Sequence, residues 1–318
     1  MRRVKVLGEH ILGMIASVKF LRPLCLGLFA AAVSAQEKPA DASADRARAN
    51  FARPITLAAD DIRQFPEPPA DYRSLPSTGL RGRLEVFEYD SSVTGTRRKA
   101  QVYLPCGYSS GKRYPVLYLL HGIGGNEYEW TDYVKAQAII DNLIATGRAV
   151  PMIVVLPNGR AMVDDRPPAN PFNPENVKAF ANFEPDLFGC LIPAVQARYS
   201  TLGDREHRAL AGLSMGGGQT LNFGLSHLDT FAWLGAFSCA PNTKPPAELL
   251  PNPAAARARL KLLYLSCGNK DGLINFSQAV HVYAKEHDLP HIWNVDEHAH
   301  DGDTWGSNLY QFTQRIFR

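Results

Sequence analysis

Alternating apolar and polar positions mark two early segments of the chain as strands. Residues 84–89 read Leu-Glu-Val-Phe-Glu-Tyr, and residues 100–104 read Ala-Gln-Val-Tyr-Leu. Because successive side chains of a strand point to opposite faces, this period is typical of a sheet with one solvated face. The pattern predicts that the two segments form a half-exposed antiparallel pair.

Short, largely apolar runs follow along the rest of the chain, and they fit strands buried on both faces of a parallel sheet. These predicted strands lie at residues 115–120, 152–156, 208–213, 231–237, 260–265 and 291–295. Helical patterns lie between them, for example at residues 133–146, 183–198 and 215–228. Strands that alternate with helices predict an α/β domain, with a mostly parallel central sheet and helices on both faces.

The first 35 residues have the pattern of an export signal. Basic residues precede an apolar run at residues 24–33, and Val33-Ser34-Ala35 supplies a small-residue cleavage site. An uncleaved membrane anchor is the alternative, but the run is shorter than the roughly 20 residues that a spanning helix needs. We therefore expect a cleaved signal peptide at residues 1–35, a secreted or periplasmic protein, and no membrane contact after cleavage.

Residues 36–78 differ in composition from the rest of the chain. They are rich in Ala, Asp and Pro and show little apolar periodicity, which predicts a linker or a loosely attached arm. The folded domain is then expected at residues 79–318. Of the cysteines in this part of the chain, we expect mostly buried free thiols, and only Cys239 and Cys267 follow strands that could bring them together.

The charge of the chain argues against a polyanionic partner. Residues 1–35 contain five basic residues and one acidic residue, so the formal charge of +3 falls to −1 once they are removed. A near-neutral domain offers no general attraction to phosphate backbones. We therefore do not expect nucleic acid as a partner.

The candidate chemistry begins with a G-x-S-x-G pentad, Gly212-Leu213-Ser214-Met215-Gly216. An apolar strand leads into it and a helical stretch leads out. In that context the glycines permit the sharp turn that lifts a serine above the edge of the sheet. The pattern therefore favours Ser214 as a catalytic nucleophile over an ordinary glycine-rich turn.

A serine hydroxyl is a weak nucleophile and needs a base, which in turn needs an orienting carboxylate. In this fold class the acid and then the histidine follow the serine along the chain. Asp271 lies just past the strand at 260–265, where such a sheet places its active site. Both His298 and His300 follow the last strand, so chain order alone leaves the base open between them.

The segment from His298 to Asp303 also has features of a metal site, because His-x-His with nearby carboxylates resembles ligand spacing in metallo-hydrolases. It lies close to the end of the sequence, and no further histidine follows to complete a ligand set. We therefore expect neither a metal nor another cofactor.

An ester hydrolase also needs hydrogen-bond donors for the oxyanion that develops at the substrate carbonyl. Leu120-His121-Gly122-Ile123-Gly124-Gly125 follows the first buried strand and can present backbone N–H groups. The second donor in this fold class is the N–H after the nucleophile, here that of Met215.

These motifs together resemble the esterase D-like α/β-hydrolases, and more narrowly carbohydrate esterase family 1, such as the feruloyl esterase domain of xylanase Z. The resemblance extends over residues 84–317. It rests on the segments at residues 118–127, 204–219 and 267–271, and on His300-Asp301-Gly302-Asp303-Thr304-Trp305, which is similar to the family's His-Asp-x-x-x-Trp motif.

The resemblance implies roles for particular residues. It makes His300 the base and Asp271 the acid, with the N–H groups of Ile123 and Met215 as oxyanion donors. His298 stands where the family usually has glycine, so a second imidazole is expected near the site, either in contact with the sugar or affecting the pH profile.

The implied substrates are feruloyl or other hydroxycinnamoyl esters of plant arabinoxylan, with acetyl-xylan as a related option. Stacked rings suit a hydroxycinnamate, so an aromatic acyl pocket is expected from the proline-rich segment at residues 159–183 together with Tyr128, Trp130 and Phe183. A mycolyl-type acyltransferase and a siderophore esterase are alternatives with the same chemistry. A non-catalytic carbohydrate-binding protein is the alternative from another class.

Overall fold

A computed structural model describes residues 42–76 and 79–318, which lie in the unit Ala40–Arg318. The predicted signal peptide lies outside the described residues. The centre of the unit is a sheet with the strand order β1-β2-β4-β3-β5-β6-β7-β8. The strands are β1 (Arg83–Ser91), β2 (Thr96–Leu104), β3 (Val116–Leu120), β4 (Ile153–Pro157), β5 (Arg208–Leu213), β6 (Trp233–Phe237), β7 (Leu262–Gly268) and β8 (Ile292–Asp296).

The sheet confirms the two kinds of strand predicted from the sequence. β1 and β2 pair antiparallel, β2 also pairs antiparallel with β4, and every pair from β4 to β8 is parallel. Strands β3, β4, β5 and β6 are buried along their whole length. This is the reason for their continuous apolar runs, since helices cover both faces of a doubly wound sheet.

Two apolar cores lie on opposite faces of the sheet, and alternate residues of β3 supply both. Tyr118 and Leu120 belong to one core, while Leu117 and Leu119 belong to the other. The helices that surround the sheet are α1 (Ala42–Phe51), α2 (Glu129–Asp132), α3 (Ala136–Ala145), α4 (Pro174–Ala181), α5 (Phe183–Asp186), α6 (Ile192–Arg198), α7 (Met215–Gly224), α8 (Pro246–Leu249), α9 (Pro253–Arg259), α10 (Ile274–Glu286) and α11 (Gly302–Thr313).

The helix predicted at residues 183–198 is interrupted. A wide π-helical turn at Leu187–Leu191 separates α5 from α6. The turn comes just before Pro193 near the start of α6, and proline has no N–H to donate to the preceding helical turn. Wide turns of this kind are a common way for a helix to absorb such an interruption.

The prediction of a loosely attached arm is wrong for residues 42–76. The indole N–H of Trp293 donates to the carboxylate of Asp61 at 2.8 Å, and the N–H of Val295 donates to the carbonyl of Ile62 at 3.1 Å. The N–H of Gln64 adds a bond to Asn294 at 2.8 Å. These bonds attach the arm along β8, the strand at the sheet edge. The low periodicity of the arm reflects irregular backbone, and its order comes from a distant part of the chain.

Cys239 and Cys267 are buried free thiols, as is Cys190, whereas Cys106 is exposed. The prediction of buried free thiols is confirmed for these three residues and is wrong for Cys106, whose thiol is free but lies at the surface. Within residues 42–76 and 79–318, no helix has the length and apolar character to cross a membrane.

Candidate active site

Ser214 occupies a sharp turn between β5 and α7. Its backbone has φ 52° and ψ −117°, a conformation that residues with a side chain rarely adopt. A Cβ atom at Gly212 would lie 2.4 Å from the carbonyl oxygen of Gly216, and one at Gly216 would lie 2.5 Å from that of Leu120. Only glycine fits at both positions, so the pentad of the sequence is what allows this turn to form.

The structure brings Ser214, His300 and Asp271 into one chain of hydrogen bonds. His300 Nε2 lies 3.0 Å from Ser214 Oγ, and His300 Nδ1 lies 2.7 Å from Asp271 Oδ2. The serine follows β5, the aspartate follows β7, and the histidine follows β8. Since parallel strands end at the same edge of the sheet, residues far apart in sequence meet there.

The carboxylate of Asp271 is fully buried but has several donors. Its Oδ1 atom accepts the N–H of Leu273 at 2.8 Å, and its Oδ2 atom lies 3.3 Å from the thiol of Cys267. Burial by itself would raise the pKa of Asp271, but the hydrogen bond and charge of His300, together with the Leu273 N–H, outweigh it and hold the pKa below its usual value. The aspartate is therefore ionised at neutral pH.

The loop after β8 separates the two candidate histidines. Asp296, at the end of β8, accepts the N–H of His298 at 3.2 Å, and the side chain of Asp301 caps the first turn of α11. The ring of His298 points to Glu67, with 3.4 Å between Nε2 and Oε1. The ring of His300 contacts Ser214 instead. The geometry thus distinguishes two residues that chain order could not.

The loop after β3 passes close to Ser214. A Cβ atom at Gly122 would lie 3.3 Å from that of Ser214, and the N–H of Gly122 donates to Glu129 Oε2 at 2.7 Å. Ile123 follows directly and lines the same cavity as Ser214 and Met215. Met215 is the first residue of α7, where a helix leaves its N–H groups without a partner in the helix.

His121 holds the start of this loop in place and has a structural role rather than a role in proton transfer. Its Nε2 atom accepts the N–H of Gly159 at 2.7 Å, and its Nδ1 atom lies 2.6 Å from the carbonyl oxygen of Gly122. Burial lowers the pKa of His121 to about 3, so the ring is neutral. A neutral ring with one N–H is consistent with both hydrogen bonds.

A mainly apolar cavity of about 480 Å³ opens at Ser214, within the size range of small-molecule sites. Its wall combines residues from the N-terminal arm, the segments after β3, β5, β6 and β7, and the segment around α4. They are Arg46, Ala47, Asn50, Phe51, Ile123, Phe172, Pro174, Val177, Lys178, Ser214, Met215, Ala240, Pro241, Asn242 and Leu273.

The predicted aromatic pocket is wrong for Trp130 and Phe183. Trp130 is 1% exposed and donates its indole N–H to the carbonyl of Leu120 at 2.9 Å. Phe183 is fully buried and packs against the guanidinium of Arg98. Among the described residues, the cavity wall also does not include Tyr128 or His298. The aromatic side chains that do line it are Phe51 and Phe172.

The sequence interpretation missed Phe51 for a reason that the fold explains. It lies in the segment expected to be a loose arm, about 250 residues before His300, and no periodicity connects the two. Phe172 lies in the proline-rich segment at residues 159–183, which is expected from the sequence to supply part of the pocket, but the sequence indicates Phe183 as its aromatic contribution. In the described part of the chain, no group of three or more His, Cys, Asp or Glu residues is arranged to hold a metal.

Comparison with known proteins places this geometry in a family. Residues 91–309 match the family described as "Putative esterase". A xylanase/feruloyl esterase of Xylanibacter ruminicola is 32% identical over 262 residues, and endo-1,4-beta-xylanase Y of Acetivibrio thermocellus is 34% identical over 183 residues. These matches cover 80% and 52% of this chain but only 34% and 16% of those proteins. The chain thus spans about a third or less of their length.

The fold is also similar to solved structures. A CE1 ferulic acid esterase of the anaerobic fungus Anaeromyces mucronatus, solved in complex with ferulic acid, has a TM-score of 0.70 and 30% identity. The match covers 82% of this chain and 98% of that chain. The α/β-hydrolase fold, the nucleophile turn and the match over residues 91–309 together show that the chain belongs to the esterase family.

Proposed function

We propose that the protein is a serine carboxylic ester hydrolase that works through an acyl-enzyme. The observation that carries the proposal is the continuous hydrogen-bond chain from Ser214 Oγ through His300 to Asp271. This arrangement supplies a nucleophile, a base that can take its proton, and a carboxylate that orients the base. Ser214 lies in a largely apolar cavity, and such a cavity suits an ester with a bulky acyl group.

In the first half of the reaction, Ser214 Oγ attacks the ester carbonyl as His300 Nε2 takes the hydroxyl proton. The carbonyl oxygen becomes an oxyanion and accepts the N–H groups of Ile123 and Met215. His300 then donates its proton to the departing alcohol oxygen, and the C–O bond of the ester breaks. Asp271 stays ionised throughout and stabilises the imidazolium that forms between these steps.

In the second half, His300 takes a proton from a water molecule that attacks the acyl-enzyme. The second tetrahedral intermediate uses the same two N–H donors, and the proton returns from His300 to Ser214 Oγ. The carboxylic acid is released and the enzyme is restored. Every proton transfer uses one imidazole, and no cofactor is required.

The substrates that we propose are feruloyl or related hydroxycinnamoyl esters of plant arabinoxylan. The cavity offers apolar walls and the rings of Phe51 and Phe172, which suit a planar aromatic acyl group. The similarity to a xylanase/feruloyl esterase and to a ferulic acid esterase supports the same class. Such polymers cannot enter a cell, so we also propose that residues 1–35 direct export.

The deciding experiment is hydrolysis of methyl ferulate by the purified protein, with release of ferulate measured by chromatography. Ser214→Ala should lose activity by a factor on the order of 10⁶ in kcat. Ser226→Ala is the matched control, because Ser226 lies just beyond α7 and bonds only locally, to Asn222, Phe223 and His227. Undiminished activity in Ser214→Ala would contradict the mechanism, and release of acetate alone from a substrate panel would contradict the feruloyl assignment.

The choice of base is tested in the same assay. His300→Ala should remove activity, whereas His298→Ala should leave the serine nucleophile active, because only His300 contacts Ser214 Oγ. The opposite result would reassign the base to His298.

A further inference from the structure

We propose that helix α1 and its last residue, Phe51, form one wall of the active-site cavity, and that this wall selects bulky apolar acyl groups. The inference rests on the proposed ester hydrolysis at Ser214 but concerns a part of the chain outside the esterase match, which begins at residue 91. In this molecule, the segment that precedes the catalytic fold completes its binding site.

The position of Phe51 carries the argument. Its ring lies edge-on to the ring of His300, with 5.2 Å between the ring centroids, and it lines the same cavity as Ser214. Phe51 is also 42% exposed. An exposed aromatic ring at the entrance of an apolar cavity retains free surface that a ligand can cover.

The backbone of Phe51 is fixed next to the catalytic acid. A Cβ atom at Gly272 would lie 2.1 Å from the carbonyl oxygen of Phe51, so only glycine permits this close approach. Gly272 directly follows Asp271 in the sequence. Two residues beyond Phe51, the guanidinium of Arg53 lies over the ring of Phe276 at 5.9 Å. The wall is therefore tied to the loop and helix that follow β7.

Further contacts along the arm hold this wall in place. The side-chain amide of Gln278, on α10, donates to the carbonyl of Thr56 at 2.9 Å and to the carboxylate of Asp61 at 2.6 Å. The other carboxylate oxygen of Asp61 accepts the indole N–H of Trp293 on β8. The segment after α1 is thus fastened to two core elements. A wall fixed in this way can discriminate between ligands by fit.

The consequence for catalysis depends on the size of the acyl group. A feruloyl or butyryl group extends from the ester carbonyl along the cavity wall and buries apolar surface against Phe51. An acetyl group ends at the carbonyl and gains little from the same ring. Loss of the ring should therefore weaken binding of bulky esters more than it affects esters of acetate.

The test compares Phe51→Ala with the full-length wild-type chain on methyl ferulate, 4-nitrophenyl butyrate and 4-nitrophenyl acetate. We expect KM to rise about tenfold for methyl ferulate and several-fold for the butyrate, since an aromatic contact and its buried area are lost. For the acetate, kcat/KM should fall by a smaller factor than for either bulky ester. Phe51→Leu should recover part of the loss, because it keeps an apolar side chain at the wall.

Leu57→Ala is the matched control, since Leu57 is an exposed apolar residue of the same arm that lies outside the cavity wall. It should leave all three substrates unaffected. Thermal unfolding of each variant checks that the fold is intact. Equal losses of activity on acetate and on bulky esters in Phe51→Ala, or no change in any KM, would contradict the proposal that this wall selects acyl groups by size.

Failure of the proposed function has a different signature. If the wild-type protein does not cleave methyl ferulate, the feruloyl assignment fails, while the ratio of butyrate to acetate activity in Phe51→Ala still decides whether the wall selects acyl size. If Ser214→Ala cleaves the esters as well as the wild type, the serine mechanism fails whatever Phe51 does.

Discussion

Two buried aspartates, each paired with a basic side chain, show what separates a candidate catalytic group from a structural one. Asp271 and Asp186 are both completely buried. Asp271 pairs with His300, and Asp186 pairs with Arg98 and also accepts the hydroxyl of Tyr89 at 2.6 Å. By burial and pairing alone, the two carboxylates are equivalent.

The partners make the difference. The side chain of His300 is 15% exposed and contacts Ser214 at the cavity, whereas that of Arg98 is 1% exposed and donates to the carbonyl of Asn158 at 2.7 Å. An imidazole can accept and return a proton near neutral pH, but a guanidinium stays charged. A buried carboxylate therefore indicates catalysis only when its partner can titrate and can reach a substrate.

Of the two aspartates, Asp271 is expected to have the larger effect on activity. Asp271→Asn should lower kcat by about 10⁴-fold, because the amide no longer favours the tautomer of His300 that can accept the serine proton. Steady-state kinetics on methyl ferulate measure it, with circular dichroism as the control for folding. A loss of less than tenfold would mean that Asp271 does not orient the base.

The opposite outcome is expected at Asp186. Asp186→Asn removes the fully buried carboxylate that pairs with the guanidinium of Arg98 and leaves only the partly exposed Asp165 at 3.4 Å as a counter-charge. Breaking a buried pair costs about 3–5 kcal/mol of unfolding free energy, and the remaining contact with Asp165 places the expected loss at the lower end of that range. Urea unfolding measures this loss. In the fraction that remains folded, kcat should stay close to the wild-type value. A loss of kcat in Asp186→Asn without a loss of stability would mean that Asp186, like Asp271, takes part in catalysis.

A smaller effect is expected at Trp130, which the structure places with the structural residues. Trp130→Phe removes the indole donor and leaves the buried carbonyl of Leu120 without that hydrogen bond, at a cost of about 1–3 kcal/mol. The KM for methyl ferulate should not change. A rise in KM without a loss of stability would indicate that Trp130 contacts the substrate.

The smallest effect concerns acid stability. The pKa of Asp271 lies below its usual value of 3.8 in the folded protein. Its ionised form therefore stabilises the fold at pH values above 3.8, and this contribution is lost as the pH falls through the lower, folded-state pKa. The difference in unfolding free energy between wild type and Asp271→Asn should shrink below pH 3.8, as urea titrations across this range can measure. If the difference in unfolding free energy grows on acidification, the pKa of Asp271 is raised in the folded protein rather than lowered.

Local pattern was sufficient to predict much of this molecule. Each predicted strand is present, and the pentad around Ser214 forms the turn that its glycines permit. The candidate acid and base follow β7 and β8 as expected. Chain order left His298 and His300 open, because the loop geometry set by Asp296 and Asp301 is not visible in a sequence.

The errors have a common physical origin in long-range packing. The aromatic character of Trp130 and Phe183 suits the expected ligand, but nothing local in the sequence reports whether a ring faces a core or a cavity. The arm looked loose because its partners, such as Trp293, lie more than 200 residues away. Single-sequence patterns carry no information on such contacts.

Because Phe51 closely approaches Gly272, the segment before the esterase fold contributes to the active-site cavity, and this affects the design of hybrid esterases. The esterase match begins at residue 91, and the related xylanases carry the matching region inside much longer proteins. A hybrid enzyme joined just before β1 (Arg83–Ser91) would keep Ser214, His300 and Asp271 but inherit whatever segment its new neighbour supplies at the cavity. Grafting different leading segments onto one catalytic fold is thus a route to altering acyl preference without touching the residues proposed for chemistry.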